Sequence, residues 1–343
     1  MKRKSLFICV LAVASFVLAE SVQAASVDEL VAAAKKEGAI EFYAASTFGP
    51  QGGRALGKAF NQKYGLDIKV NYTPSSSYTT DVGKVVSRAA MGMPPDMDVM
   101  IVMDTHHATL WLKRLHETFD YKKVGVNTRM IRYGGGTVAF ANQFILPAYN
   151  KTILPTQDAP RGWDDLLDSK WKGGKLGVSS DLTHLAMLSA GPWGEKRATE
   201  YVKSLAKQEL NLGTLGQAYT RLQIGEILIA VTMTDSFTHR AKEKGVPIVF
   251  AEGIEPVISL AYNAGVVKGA RHPNAGHLFV AFLASLEAQE IWEKYNGQTS
   301  PFVPGTKAYK YVQGKQVVYM TQETAVMVDR LTKEYAKLLG FEK

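Results

Sequence analysis

The stretch Ile40-Glu41-Phe42-Tyr43-Ala44-Ala45-Ser46-Thr47-Phe48-Gly49-Pro50 decides the fold class. Its first five residues read as a strand, and Ser46 to Pro50 read as a loop. A helix follows with Leu56, Ala59, Phe60 and Tyr64 on one face, and Gly65 stops it. Ile68–Tyr72 reads as the next strand. Val82, Val85, Val86 and Ala89 then mark a helix, and Asp98–Met103 a buried strand. Upstream, Ser26 and Glu29 form a capping box for a helix striped by Leu30, Val31, Ala33 and Ala34 that ends at Gly38. Strands and helices alternating at this spacing predict parallel βαβ units.

The alternation resumes beyond Gly134-Gly135-Gly136, which reads as a flexible crossover before a strand at Thr137–Asn142. Strands are expected at Lys175–Ser179, Asn211–Thr214, Ile227–Thr232 and Pro247–Phe250. Helices are expected from Asp181, over Glu195–Gln208, Gln217–Ile224 and Asp235–Lys244, and from about Gln322 to Leu339. Beyond roughly 250–300 residues a single core stops growing, so a chain of 343 residues is expected to form two lobes. No linker, repeat or low-complexity tract separates two halves, so the chain is expected to cross between lobes more than once. The fold class is α/β in two lobes.

The first 24 residues read as a secretory signal peptide. Lys2, Arg3 and Lys4 precede an apolar run from Leu6 to Ala19, and Val22-Gln23-Ala24 supplies a small-residue cleavage point. The run is too short to span a bilayer, so no stable membrane insertion is expected. The single cysteine, Cys9, lies inside that run, so the mature chain has neither disulfide nor thiolate chemistry. Removal of the leader lowers the net charge of +8 by two. The lysines are scattered and not clustered with aromatics, which argues against a nucleic-acid partner and leaves a mild bias toward anionic ligands.

Open α/β sheets bind ligands outside the carboxyl ends of their strands, where helix N-termini offer free N–H groups. Such junctions here are rich in hydroxyls: Ser46 and Thr47; Thr105; Ser180 and Thr183; and Thr234, Asp235 and Ser236. The loop ending in Ser77 and Tyr78 adds a fifth. The same residue types are also ordinary helix caps. Catalytic patterns are missing. His106 and His107 are adjacent and point to different faces of a helix, and the other histidines lack zinc spacing. There is no G-x-S-x-G elbow, P-loop or G-x-G-x-x-G fingerprint. Asp164 and Asp165 read as the first turn of a helix. No cofactor or metal site is indicated, and the chain reads as a binding module, not an enzyme.

The segment from Arg161-Gly162-Trp163-Asp164-Asp165-Leu166-Leu167 to Trp171-Lys172-Gly173-Gly174-Lys175 resembles one found in bacterial periplasmic solute-binding proteins of ABC importers. These are the extracellular solute-binding family 1, ferric-iron-binding-like group. Ala148-Tyr149-Asn150, Leu222–Glu226, Val266–Ala275 and Phe282–Gln289 extend the resemblance in order along the mature chain. It implies a type II periplasmic binding protein: two α/β lobes joined by two crossover hinge strands, closing on a solute and delivering it to an inner-membrane ABC permease. The lobes would comprise 25–137 plus 262–296 and 138–261, with a C-terminal helical segment, 297–343, crossing back. The protein would be a periplasmic monomer. Iron-binding members place adjacent tyrosines where this chain has Met233-Thr234-Asp235-Ser236, and often a histidine where it has Ser46-Thr47-Phe48. The implied cargo is therefore a small anionic organic solute, with Tyr149 and Tyr78 as candidate walls; the alternative is ferric iron held with a synergistic anion.

Overall fold

The computed structural model describes residues 27–342. The signal-peptide reading, Cys9 and the Ser26 half of the capping box lie outside those residues. The strands are β1 (Ala39–Ala45), β2 (Lys69–Ser75), β3 (Val99–Met103), β4 (Ile131–Arg132), β5 (Thr137–Asn150), β6 (Leu176–Ser179), β7 (Asn211–Gly213), β8 (Ile229–Thr234), β9 (Ile248–Phe250), β10 (Val257–Val266) and β11 (Val317–Tyr319). The helices are α1 (Val27–Glu37), α2 (Gly49–Tyr64), α3 (Tyr78–Ala90), α4 (Asp104–Leu112), α5 (Thr183–Ala186), α6 (Gly194–Leu205), α7 (Leu215–Ile224), α8 (Asp235–Glu243), α9 (Pro273–Leu283), α10 (Leu286–Asn296), α11 (Lys307–Tyr311) and α12 (Gln322–Leu338).

All eleven strands belong to one continuous sheet whose main order is β2-β1-β3-β10-β5-β8-β6-β7. The outer strands pair in parallel, β1 with β2 and β3, and β6 with β7 and β8, as the strand–helix alternation predicts. The two central strands, β5 and β10, run antiparallel to each other and to their outer neighbours. They are the crossovers that join two lobes. The sequence reading takes Gly134-Gly135-Gly136 for a flexible crossover and ends the strand after it at Asn142, whereas Tyr133–Gly135 is a 3-10 turn and the crossing strand is β5 itself, which runs to Asn150. Pro147 hides the continuation: it has no N–H for the ladder, and the β5–β8 register shifts between Leu146 and Ala148.

Two principal cores flank the crossovers. The first is aromatic: Phe60, Phe279 and Phe42 lie with ring centroids 4.9–5.3 Å apart, and Phe48 stacks on Trp292 at 4.4 Å. The second gathers Trp163, Trp171, Val178, Val202 and Val231 under α12, which contributes Val328 and Leu331. The segment after α10 serves both, with Phe302 and Val303 in the first core and Ala308 in the second. Asp164–Leu167 is a short 3-10 turn and not the start of an α-helix. The Asp165 carboxylate accepts from the N–H groups of Arg161 and Gly162 at 2.8 and 3.1 Å, and Asp164 pairs with Arg197 at 3.1 Å, so both carboxylates have partners in the fold.

One close approach fixes the helix beside the first strand pair. A Cβ at Gly53 of α2 would lie 2.6 Å from the Tyr72 Cβ. The obstructing atom is anchored to the backbone, so no rotamer change relieves it. Tyr72 in turn donates its hydroxyl to the Ala45 carbonyl at 2.7 Å, at the mouth of the site described next. Gly53→Ala is expected to destabilise the protein by about 1–3 kcal/mol through overpacking, despite alanine's better helix propensity. Urea unfolding monitored by circular dichroism checks this, and an unchanged or higher midpoint would refute it.

Candidate functional site

The carboxyl ends of β1, β3 and β8 converge on the middle of β10. At each of them a helix of nine residues or more begins: α2 after Phe48, α4 after Met103, α8 after Thr234. None of the three has a side-chain cap on its first N–H groups. The leading N–H groups of α4 and α8 carry the positive end of the helix dipole, whereas at α2 the Gly49 N–H is spent on the Ser46 carbonyl and Pro50 has none. By contrast, α3 is capped, because the Thr80 N–H donates to Ser77 Oγ at 3.3 Å. For Ser77 the ordinary capping role is therefore the one realised.

Side chains between these helix ends form a polar chain across the junction. Thr47 Oγ1 donates to Asn296 Oδ1 at 2.8 Å, and Asn296 Nδ2 donates to Gln298 Oε1 at 2.8 Å. Asn296 and Tyr78 lie close enough to the Tyr262 hydroxyl to bear on its ionisation. Tyr78 packs edge-on to His106 at 5.5 Å, and Thr105 Oγ1 lies 3.3 Å from His106 Nδ1. Asp181 bears on His106 from the far lobe; burial nonetheless holds that imidazole below its usual range and keeps it neutral. On the β8 side, Thr234 and Ser236 share a hydrogen bond at 2.8 Å, and Gln143 of β5 donates to Ser236 Oγ at 3.3 Å.

Asp235 is the one carboxylate in this chain of groups with spare capacity. Its Oδ2 accepts the Phe144 N–H at 3.2 Å, while its buried Oδ1 has no partner. Burial is the largest influence and pushes the carboxyl up to about 7. The Phe144 N–H, the charge of Lys307, the Ser236 N–H and Gln298 offset part of that rise. Tyr262 is pushed up to about 12, first by burial and then by the Asp235 charge. A buried acceptor oxygen with nothing to accept costs free energy that an incoming donor would recover.

Of the residues expected from sequence, the structure thus brings together Thr47, Tyr78, Thr105, Thr234, Asp235 and Ser236. Ser46 is exposed at the start of the 3-10 turn after β1, Ser180 is exposed after β6, outside the three strand ends above, and Thr183 opens the four-residue α5 beside Asp181. Tyr149 is placed elsewhere: it is buried in the second core and its hydroxyl donates to Thr156 Oγ1 at 3.1 Å. Four residues beside them were not singled out as candidate contacts from the sequence: Tyr262, His106, Asn296 and Gln298. The available signal was Tyr262-Asn263, a polar-tipped pair inside the otherwise apolar run of β10, and the polar stretch Asn296–Ser300 after a helix. Among the described residues, no three His, Cys, Asp or Glu side chains gather as a metal site.

Comparison with known proteins adds the family. Residues 40–296 match the family model for bacterial extracellular solute-binding proteins. No curated protein matches the sequence. Among solved structures, the chain resembles an ABC transporter substrate-binding protein from Bradyrhizobium japonicum, with a TM-score of 0.70 and 14% identity over 88% of this chain and 99% of that one. It also resembles iron-bound HitA from Pseudomonas aeruginosa, with a TM-score of 0.66 and 19% identity over 87% and 99% of the two chains. AfuA from Actinobacillus pleuropneumoniae, bound to fructose 6-phosphate, gives a TM-score of 0.65 and 18% identity over 89% and 99%. At these identities the likeness is one of fold.

The raised carboxyl of Asp235 has a stability consequence. Its folded value, about 7, lies above that of an unfolded aspartate, so the folded state holds the proton more tightly. Its contribution to stability is complete below about pH 4 and is lost as pH rises through about 7. Asp235→Asn should therefore remove a downward slope between those limits. Wild type should lose stability relative to the variant when urea midpoints are compared at about pH 4.5 and pH 7.5, and parallel profiles would count against it.

Proposed function

The chain belongs to the bacterial extracellular solute-binding proteins, and we propose that it captures a small, hydroxyl-bearing organic anion between its lobes for delivery to an inner-membrane ABC permease. In this reading one lobe is formed by 25–137 with 262–296 and the other by 138–261, and β5 and β10 act as the hinge. The protein works as a periplasmic monomer and turns nothing over. Among the described residues no helix is long and apolar enough to cross a membrane.

The observation that carries the reading is the Asp235 Oδ1 without a hydrogen-bond partner, beside the uncapped N-termini of α4 and α8. The carboxylate oxygen asks for a donor such as a solute hydroxyl. The helix ends ask for an acceptor or an anionic group. Thr47, Tyr78, Tyr262, Asn296 and Gln298 supply neutral hydrogen bonds of either sense between them. Closure around such a solute brings the Asp181 loop and α8 toward α2 and α4, the hinge motion by which two-lobed binding proteins report occupancy. HitA was crystallised with iron, but ferric iron would here meet Asp235, the weak hydroxyl ligands Thr234 and Ser236, and the phenols Tyr262 and Tyr78, whose ionisation burial opposes. A charge-transfer colour on adding ferric salt would favour iron.

The direct test is mass spectrometry of small molecules released by denaturing the purified protein. An organic, hydroxyl-bearing anion is expected from wild type. Thr47→Ala and Tyr262→Phe should each weaken its retention by about 1–3 kcal/mol, the cost of stranding a buried hydrogen-bond partner. Calorimetric titration with the identified compound measures it, and wild-type affinity in both variants would overturn the site.

A further inference from the structure

A groove of about 1030 Å³ leads away from Asp235 and Ser236, between α8 with β9 on one side and residues 297–311 on the other. Its volume is at the upper end of what a drug-sized ligand fills. Its walls are apolar where the chain of groups around Tyr262 is polar: Phe144, Val249, Phe250 and Tyr311 line it, and the Phe144 and Tyr311 rings lie 4.8 Å apart. Val249, Phe250 and Tyr311 are only partly buried, which leaves them ready to cover something.

The rim carries Lys151, Lys242 and Lys307, all exposed and none within salt-bridge distance of a carboxylate among the described residues. Three acidic residues face them: Glu243, engaged by His239 at 3.2 Å, Asp235, recessed at the inner end, and Glu252, exposed on the Tyr311 side. An apolar trough edged by unpaired ammonium groups is complementary to an anion with an apolar body.

We infer that this groove receives the apolar part of the cargo, and that the cargo is an anionic amphiphile: a carboxylate on an aliphatic or aromatic body, its charge met by the rim lysines. The inference rests on the solute-capture reading and narrows it, away from compact sugar phosphates and toward organic acids with a chain or ring.

The test uses the mature chain and three probes: acetate, hexanoate and decanoate, titrated calorimetrically below micelle-forming concentrations. Burial of each added methylene should tighten binding, so decanoate is expected to bind roughly tenfold or more better than hexanoate, and acetate not detectably. Phe250→Asp should lower decanoate affinity at least tenfold. Lys242→Gln, an exposed change that leaves the fold intact, should lower it several-fold and flatten its dependence on salt. Equal affinity for hexanoate and decanoate, no heat from any of the three, or decanoate binding unmoved by both variants would overturn the groove assignment. The two readings fail separately. If Tyr262→Phe strips the co-purifying solute while chain length has no effect, only the groove assignment falls. If that solute survives Thr47→Ala and Tyr262→Phe, the cleft reading beneath it falls.

Discussion

Everything at the junction hangs on one buried carboxylate, that of Asp104. Its Oδ2 accepts the Ala261 N–H at 3.0 Å and its Oδ1 accepts the side-chain amide of Asn263. These two residues bracket Tyr262, where the pairing of β10 with β5 shifts register. A register shift in a central strand leaves ladder groups to be satisfied by other means. Here a side chain at the end of the neighbouring strand β3, 157 residues earlier than Ala261, does it. Burial pushes the Asp104 carboxyl up to about 6, and its hydrogen bonds from Asn263 and Ala261 pull the other way. His107 continues the support, with Nε2 3.0 Å from the Asn263 carbonyl and Nδ1 2.9 Å from His116. Burial keeps both imidazoles neutral. The bulge so fixed points Tyr262 at Tyr78 and Asn296, and the polar chain across the lobes follows from that placement.

Much of the fold was legible because periodicity survives packing. The helices at Gly49–Tyr64, Leu215–Ile224 and Gln322–Leu338 lie within a residue or two of their apolar stripes and stop signals. Strand pairing was less legible: β10 is buried along nearly its whole length, so it shows no alternation to read. The candidate site was half legible. Hydroxyls at strand ends drew attention to Thr47, Thr234 and Ser236, whereas Tyr149, read as an aromatic wall, lies in a core whose partners are distant in sequence. His106 looked like half of a poor metal pair. Its neighbour His107 is the structural one, turned inward to β10, while His106 faces Tyr78.

The Trp163–Trp171 segment, the stretch that carried the family resemblance, has a structural explanation. Trp163 donates its indole N–H to the Pro256 carbonyl at 3.0 Å, and Trp171 donates to Asp165 at 2.9 Å. Both rings are buried in the second core. Nothing in this segment touches the junction groups. It ties the loop before β6 to the start of β10. Family likeness and ligand identity are therefore written in different parts of this chain.

The placement of β10 also sets an order of events. The first core needs Leu30 through Ala141 and then Ala264 through Val303, while the second runs from Phe144 to Leu339. Neither lobe can be finished until the last quarter of the chain exists. Contacts of such long sequence separation make folding slow, because loop closure must be paid before pairing returns anything. During synthesis the polypeptide consequently has no early domain to lock into, and it stays threadable until its final helices arrive.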